Sequence, residues 1–186
     1  MNELELRAQL ERHHRDSYGW ALSCCRRNPE DAESVLQTVY VKVLEGKARF
    51  DGKAAFKTWL FSVIRRTAAD YRRRRVLRHF RLMRYIDGGA PVAHGENPET
   101  AAYQSEIQRL FQRALSRLPD RQRETLQLAF YHDLSLAEAA DVMGISIGAA
   151  RTHYERGKKR LRQLMEELGT SNETGLGRKE NRTTIP

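Results

Sequence analysis

Residues 134–161 read LSLAEAADVMGISIGAARTHYERGKKRL, and the spacing of signals inside this stretch decides how the chain is to be read. Ser135 stands just before an apolar-periodic run, with Glu138 three positions on. In that pattern the hydroxyl and the carboxylate each satisfy a backbone amide that a helix start would leave unpaired. Leu136, Ala139 and Ala140 give the helix an inner face, and Gly144 follows Met143 where a left-handed residue ends it. Ile145 fills the corner, and Ser146 offers a second cap. Ala150, Tyr154, Gly157 and Leu161 then recur on one side of the next helix, leaving Arg151, Thr152, Glu155, Arg156 and Lys159 on the other. A short helix, a glycine turn and a basic second helix make a helix-turn-helix, whose second helix suits the major groove. Arginine pairs bidentately with guanine, a threonine hydroxyl adapts, and glutamate accepts from cytosine. Lys158, Lys159, Arg160 and Arg162 are placed for phosphates, which give affinity without sequence information. The bland alternative is a surface helical hairpin with a solvated basic face. Two caps, a turn glycine and outward arginines in one stretch favour the DNA reader.

Working outward, Ile107, Leu110, Phe111, Ala114, Leu115 and Leu118 repeat at helical spacing, and Pro119 opens a helix carrying Leu126, Ala129 and Phe130. With the helix-turn-helix they make a unit over 105–168. The polar tail 169–186 is expected to be disordered. Upstream, 85–104 holds glycines and prolines without apolar period and reads as a flexible linker. Before it, 1–84 shows three amphipathic helices: Leu6 to Cys25, a second opened by Asn28-Pro29-Glu30-Asp31 and striped by Ala32, Val35, Leu36, Val39 and Val43, and a third from Phe56 into Arg72–Arg75. Nothing alternates with period two for long enough to make a strand. The fold class is therefore all-α: two small helical domains on a flexible linker, the second with a helix-turn-helix.

The totals agree with a polyanion partner. The chain has 186 residues and a formal net charge of +9, with a pI near 9.9, a balance suited to nucleic acid or an acidic surface. No apolar run is long enough to span a bilayer, and the N-terminus lacks the apolar core of a secretion signal, so a cytoplasmic location is expected. Cys24 and Cys25 are adjacent and do not make a disulfide framework. His13 and His14 point in different directions from a helix, with no carboxylate or thiol at ligand spacing, so no metal and no cofactor are expected. No nucleophile–base pair or phosphate-cradling glycine loop appears, so the chain is not expected to be an enzyme.

Two features of the first domain bear on function. The helix from Pro29 presents Glu30, Glu33, Gln37 and the apolar Val41 away from its core stripe, a mixture that fits a solvated face or a protein-docking face. The third helix crowds Phe56, Trp59 and Phe61 at its start, after Phe50, and Arg65, Arg66 and Arg72–Arg75 at its end. Aromatics interleaved with arginines suit unstacked bases beside neutralised phosphates. Periodicity assigns Phe56 and Trp59 to the core as well, whereas Phe61 lies off the stripe and reads as the freer aromatic.

These residues carry a resemblance. Asn28-Pro-Glu-Asp-Ala-Glu-Ser-Val-Leu-Gln resembles the region-two helix of bacterial RNA polymerase sigma factors, and Arg49-Phe-Asp-Gly-Lys-Ala-Ala-Phe-Lys-Thr-Trp-Leu-Phe their promoter-melting segment. Leu115-Ser-Arg-Leu-Pro-Asp-Arg-Gln-Arg-Glu with residues 134–146 resembles region four. The short linker is similar to that of the extracytoplasmic-function (ECF) type, and the match runs from about Leu10 to Leu164. The resemblance implies that Asp31, Glu33, Gln37 and Val41 dock on the clamp helices of the large catalytic subunit of core RNA polymerase, with the second domain at its flap. It implies that the loop from Asp51 to Ala55, with Lys53, Phe56, Trp59 and Phe61, captures a −10 base, while Arg65, Arg66, Arg72 and Arg73 hold the strand. Ser146, Arg151, Thr152, Glu155, Arg156 and Lys159 would read the −35 element, with Arg121 and Arg123 near its phosphates. An anti-sigma partner is expected from the family. The chain departs from the family pattern at Thr38, Glu45 and Arg66, where an acid, a tryptophan and an asparagine are common. The rival is a stand-alone helix-turn-helix regulator, which leaves the aromatic–arginine helix and the Glu33/Val41 face without a task.

Overall fold

The computed structural model describes residues 2–83 and 106–176, with side chains for 2–78 and 107–168. Among the described residues every regular element is a helix: α1 (Glu3–Arg12), α2 (His14–Cys24), α3 (Pro29–Leu44), α4 (Phe56–Met83), α5 (Glu106–Ser116), α6 (Asp120–Tyr131), α7 (Leu136–Met143) and α8 (Ile147–Leu176). The expected linker, 85–104, lies outside the described residues.

The first expected helix is two. His13 leaves helical geometry at φ −99 and ψ 7, ending α1 and starting α2. A one-residue break shifts the phase little, so the apolar period passed through it unbroken. Between α2 and α3 the chain turns through Arg26 and Arg27 at φ 53 and 62, a left-handed pair that side chains other than glycine seldom adopt. Asn28 then caps α3 through its side-chain oxygen, which accepts from the Asp31 amide at 2.8 Å. The stripe Ala32, Val35, Leu36, Val39 and Val43 is buried against α2 and α4.

In the second unit, α6 and α8 cross so closely that a Cβ on Gly157 would meet Leu126 at 3.1 Å. Ala114, Leu115, Leu118, Leu126, Leu161 and Leu164 close one small core there. α8 continues past Leu168 to Leu176, a correction to the tail expected to be disordered from 169.

The two helical domains are present as expected, the second with its helix-turn-helix, and they also touch. Leu128, Leu134, Ala139, Val142 and Met143 belong to the same buried cluster as Trp20, Val35, Val39, Leu60, Phe61 and Ile64. The helix α7 lies on α4, and the two expected domains share one core. Phe61 is the pivot: it is fully buried, stacked on Trp20 at 5.8 Å and edge-on to His132 at 4.8 Å. It lay off the first domain's stripe because it packs on the second unit, so it is not a free aromatic.

Candidate nucleic-acid interface

The helix-turn-helix forms from its local signals. Ser135 and Glu138 make the reciprocal capping box, and Gly144 ends α7 in the left-handed conformation at φ 63. Ser146 Oγ accepts from the Ala149 amide at 3.2 Å and caps α8. Ala150, Gly157 and Leu161 are buried and Tyr154 half-buried, which leaves Arg151, Thr152, Glu155, Arg156 and Lys159 exposed along one face. Thr152 rests on the Gly148 carbonyl at 2.9 Å. Lys158 reaches Glu155 at 3.7 Å and sits 5.0 Å from the Tyr154 ring centre. The face is basic with one acid, a composition that attracts phosphate while retaining a base-discriminating group.

Of the two arginines expected near −35 phosphates, Arg121 is exposed, with a long contact to the Met143 carbonyl at 3.4 Å. Arg123 is mostly buried: it donates to the Leu118 carbonyl at 3.1 Å and pairs with Asp120. It holds the turn into α6, a task its sequence position did not announce.

The expected −10 residues divide. Phe56 and Trp59 are half-buried and pack with Phe50 at centroid distances of 5.2 to 5.3 Å. Trp59 also lines an open cleft of about 430 Å³ whose walls carry Lys42, Lys47, Arg49 and Arg66 together with one acid, Asp70. An aromatic edge among four cations suits a nucleotide better than an apolar ligand. Lys53 and Phe56 do not line it; Lys53 is exposed and pairs with Asp51 at 3.2 Å. Lys42, Lys47 and Arg49 were missed because they read as a helix end and a loop, and only the fold carries them to Trp59. Arg66 is exposed and folded back onto Ser62, donating to its carbonyl at 3.1 Å and its hydroxyl at 2.8 Å. Arg72 is half-buried and Arg73 exposed.

Arg65 is not on this surface. It pairs with Glu124 of α6 at 3.0 Å and donates to the Met143 carbonyl at 3.2 Å, with side chains only 19% and 11% exposed. Lys57, which no motif or spacing singles out, pairs with Asp16 at 2.8 Å and donates to the His132 carbonyl at 3.0 Å. The Lys57 hydrogen bond holds the Asp16 carboxyl below its usual range. Burial, seconded by Lys57, pushes His132 down to about 4, so its ring is neutral.

On α3, Glu33, Gln37 and Val41 are exposed, whereas Asp31 is largely covered and paired with Arg75 of α4. His14 meets the Tyr40 hydroxyl at 3.0 Å and His13 stacks on Phe56 at 6.0 Å. Cys24 and Cys25 are buried free thiols; burial, with Asp31 nearby, raises Cys25 to about 11, far from a reactive thiolate. Among the described residues no helix is long and apolar enough to cross a membrane.

The arrangement has known counterparts. Residues 10–78 match Sigma-70 region 2 and residues 108–161 match Sigma-70, region 4. The ECF RNA polymerase sigma factor SigX of Bacillus subtilis is 30% identical over 158 residues, covering 84% of this chain and 81% of that protein. The ECF sigma factor SigM of Mycobacterium tuberculosis is 30% identical over 161 residues, covering 87% and 77%. Among solved structures, the sigma factor RpoE in complex with the anti-sigma factor NepR from Bartonella quintana superposes with a TM-score of 0.67 at 24% identity, over 87% of this chain and 97% of that one. CnrH in complex with the cytosolic domain of CnrY gives 0.61 at 23%, over 89% and 90%. Both show the same fold. A stand-alone regulator would need only the second match; with both regions present in order, the chain belongs to the ECF RNA polymerase sigma factors and directs RNA polymerase to promoters.

Proposed function

We propose that this sigma factor holds a promoter at two points and melts the downstream one with binding energy alone. At the upstream point, Arg151, Thr152, Glu155 and Arg156 read −35 base edges, with Ser146 at the helix start and Lys159 and Arg121 on phosphates. At the downstream point, the cleft beside Trp59 receives a base of the −10 non-template strand. Arg66 stands at the cleft, Phe56 backs Trp59, Lys53 and Arg73 meet the strand's phosphates, and Arg65 and Arg72, which face α2 and α6, join them on release. Glu33, Gln37 and Val41 dock on the polymerase clamp helices, with Asp31 held beside them by Arg75. The working units are 1–84 and 105–168, joined by 85–104. The protein is a binding subunit without catalytic activity of its own, works in the cytoplasm beside polymerase and DNA, and takes an anti-sigma factor as its inhibitor.

The observation that carries this reading is the α8 face: an unobstructed basic row on a helix whose start is capped and whose turn is glycine-locked. Purified core polymerase, this chain and a library of promoter fragments supply the test. Specific initiation at a subset of fragments is expected, together with co-purification of chain and core. Duplex binding without either result would restore the stand-alone regulator.

A further inference from the structure

The cleft beside Trp59 holds one group that its cations do not explain. On α4, Trp59, Arg66 and Asp70 stand seven and four residues apart, so they share the helix face that forms one side of the cleft. The end of α3 and the turn after it supply Lys42 and Arg49 from the other side. The fold fixes both: Lys42 donates to the buried Thr67 hydroxyl at 3.2 Å, and Arg49 Nε donates to the Gly46 carbonyl at 3.2 Å. Among the described residues that line the cleft, Asp70 is the one acid. Its side chain is 55% exposed and meets Arg73, itself 79% exposed, at 3.8 Å. A surface pair that long and that wet contributes little. A carboxylate there repels the phosphates that the cations attract, so it weakens general strand binding. It also has a property the cations lack: it only accepts hydrogen bonds, whereas lysine and arginine only donate.

We propose that Asp70 is the base-selecting residue of this cleft: its carboxylate accepts from the exocyclic amino group of a base held at Trp59, so the site takes cytosine, adenine or guanine and rejects thymine. The inference rests on the −10 reading above and names the class of base that reading leaves open. An unpaired thymine presents one ring N–H between two carbonyl oxygens, and those oxygens face a carboxylate unfavourably. Each of the other three bases offers an amino group, and a carboxylate is a fitting acceptor for it. Lys42 and Arg49 then meet the ring nitrogen or carbonyl that flanks the amino group. The edge being read is hidden by the partner base in a duplex, so the selection acts on an unstacked strand. The cleft suits that task in size, since about 430 Å³ lies in the range of pockets that take one small molecule. Asp70 thus exchanges some affinity for discrimination, which accounts for an acid on a wall otherwise built for phosphate.

The test binds the full chain, on core polymerase, to a pool of random single-stranded DNA and sequences the retained strands, with core alone as background. The wild type should deplete thymine at one position by about fivefold or more, the low end of what one base contact discriminates. Asp70→Asn keeps the shape of the side chain but can donate as well as accept, so it should readmit thymine at that position and leave the others unchanged. Because a repelling charge is gone, it should also tighten total strand binding, which damage to the fold does not do. A second measurement needs no variant. Replacing adenine at the selected position by unsubstituted purine removes only the amino group, and it should weaken wild-type binding about as much as thymine does. Thymine depletion that persists in Asp70→Asn, or purine that binds as well as adenine, overturns the assignment and leaves the −10 reading standing. Strands retained without any depletion of thymine overturn it as well. A wild-type complex that retains no more strand than core alone overturns the −10 reading and the selection with it.

Discussion

Helices α4 and α8 are near twins in length, 28 and 30 residues, and each carries a basic run, yet they meet opposite fates. α8 packs through one side, so its outward row is free and its apolar period reports a single interface. α4 packs on α2 and α3 with one side and on α7 with another. Thr58, Phe61 and Arg65, which a one-sided reading turns towards solvent or DNA, are covered or paired. A helix whose buried apolar arc is wider than a single stripe of about 100° packs on more than one neighbour. Leu60, Phe61, Val63, Ile64 and Ala68 show that breadth in α4.

The strongest test of this contrast is Phe61→Ala. Truncating a fully buried aromatic costs about 3–5 kcal/mol, seen as a lower denaturant midpoint for the whole chain. Retained stability with lost promoter melting would return Phe61 to the DNA-facing set and erase the difference between the helices.

Acid should loosen the α4 side selectively. The His132 ring titrates near 4 when folded against an ordinary 6.5, so the unfolded chain binds the extra proton between those values. Stability is then full above about pH 6.5 and falls as pH drops towards 4, at no more than about 1.4 kcal/mol per pH unit. Lys57, which faces the ring, opposes its charging, while Asp16 and Asp133 favour it. Asp16, held low by Lys57, adds a loss only at still lower pH. Equilibrium unfolding of wild type and His132→Gln across pH 4.5–7 checks this: the slope should shrink in the variant.

The contrast also explains what could be read in advance. The helix-turn-helix was legible because each signal is local: Ser135 with Glu138, Gly144 and Ser146 all act within four residues of their partners. The α3 stripe was legible because one face meets one core. The contact of α7 with α4 was not, because Leu134, Val142 and Met143 are correct residues for a helix-turn-helix core whether they close on their own unit or on α4. Arg123 was misplaced for a related reason: an arginine's sequence position does not say that the Leu118 carbonyl will hold it. The cleft at Trp59 depends on Lys42 and Arg49 being brought together by the turn at Gly46 (φ 70), and its shape has no sequence period.

On the open helix, Arg151→Ala should leave folding unchanged and cost about 1–3 kcal/mol of −35 binding, relaxing preference at one base pair. Competition binding with single-base variants of the site measures it. Uniform weakening across all variants would make Arg151 a phosphate contact and reduce the α8 face to an electrostatic one.

The smallest expected effect falls where the two regions touch. Glu138 accepts from the Ser135 amide at 2.9 Å and its hydroxyl at 2.7 Å, and its other oxygen faces Thr58 across the contact. Ser135→Ala removes the cap alone, and a lost serine cap costs about 1 kcal/mol. Thr58→Val removes the cross-contact and leaves the cap intact. If the units act as one cooperative body, the two changes combined should cost less than their sum, because each alone already weakens the other's hold on the same carboxylate. Strict additivity in a denaturation double-mutant cycle would show α7 holding its own shape independently of α4, which would confine the coupling to Phe61, His132 and the Arg65–Glu124 pair.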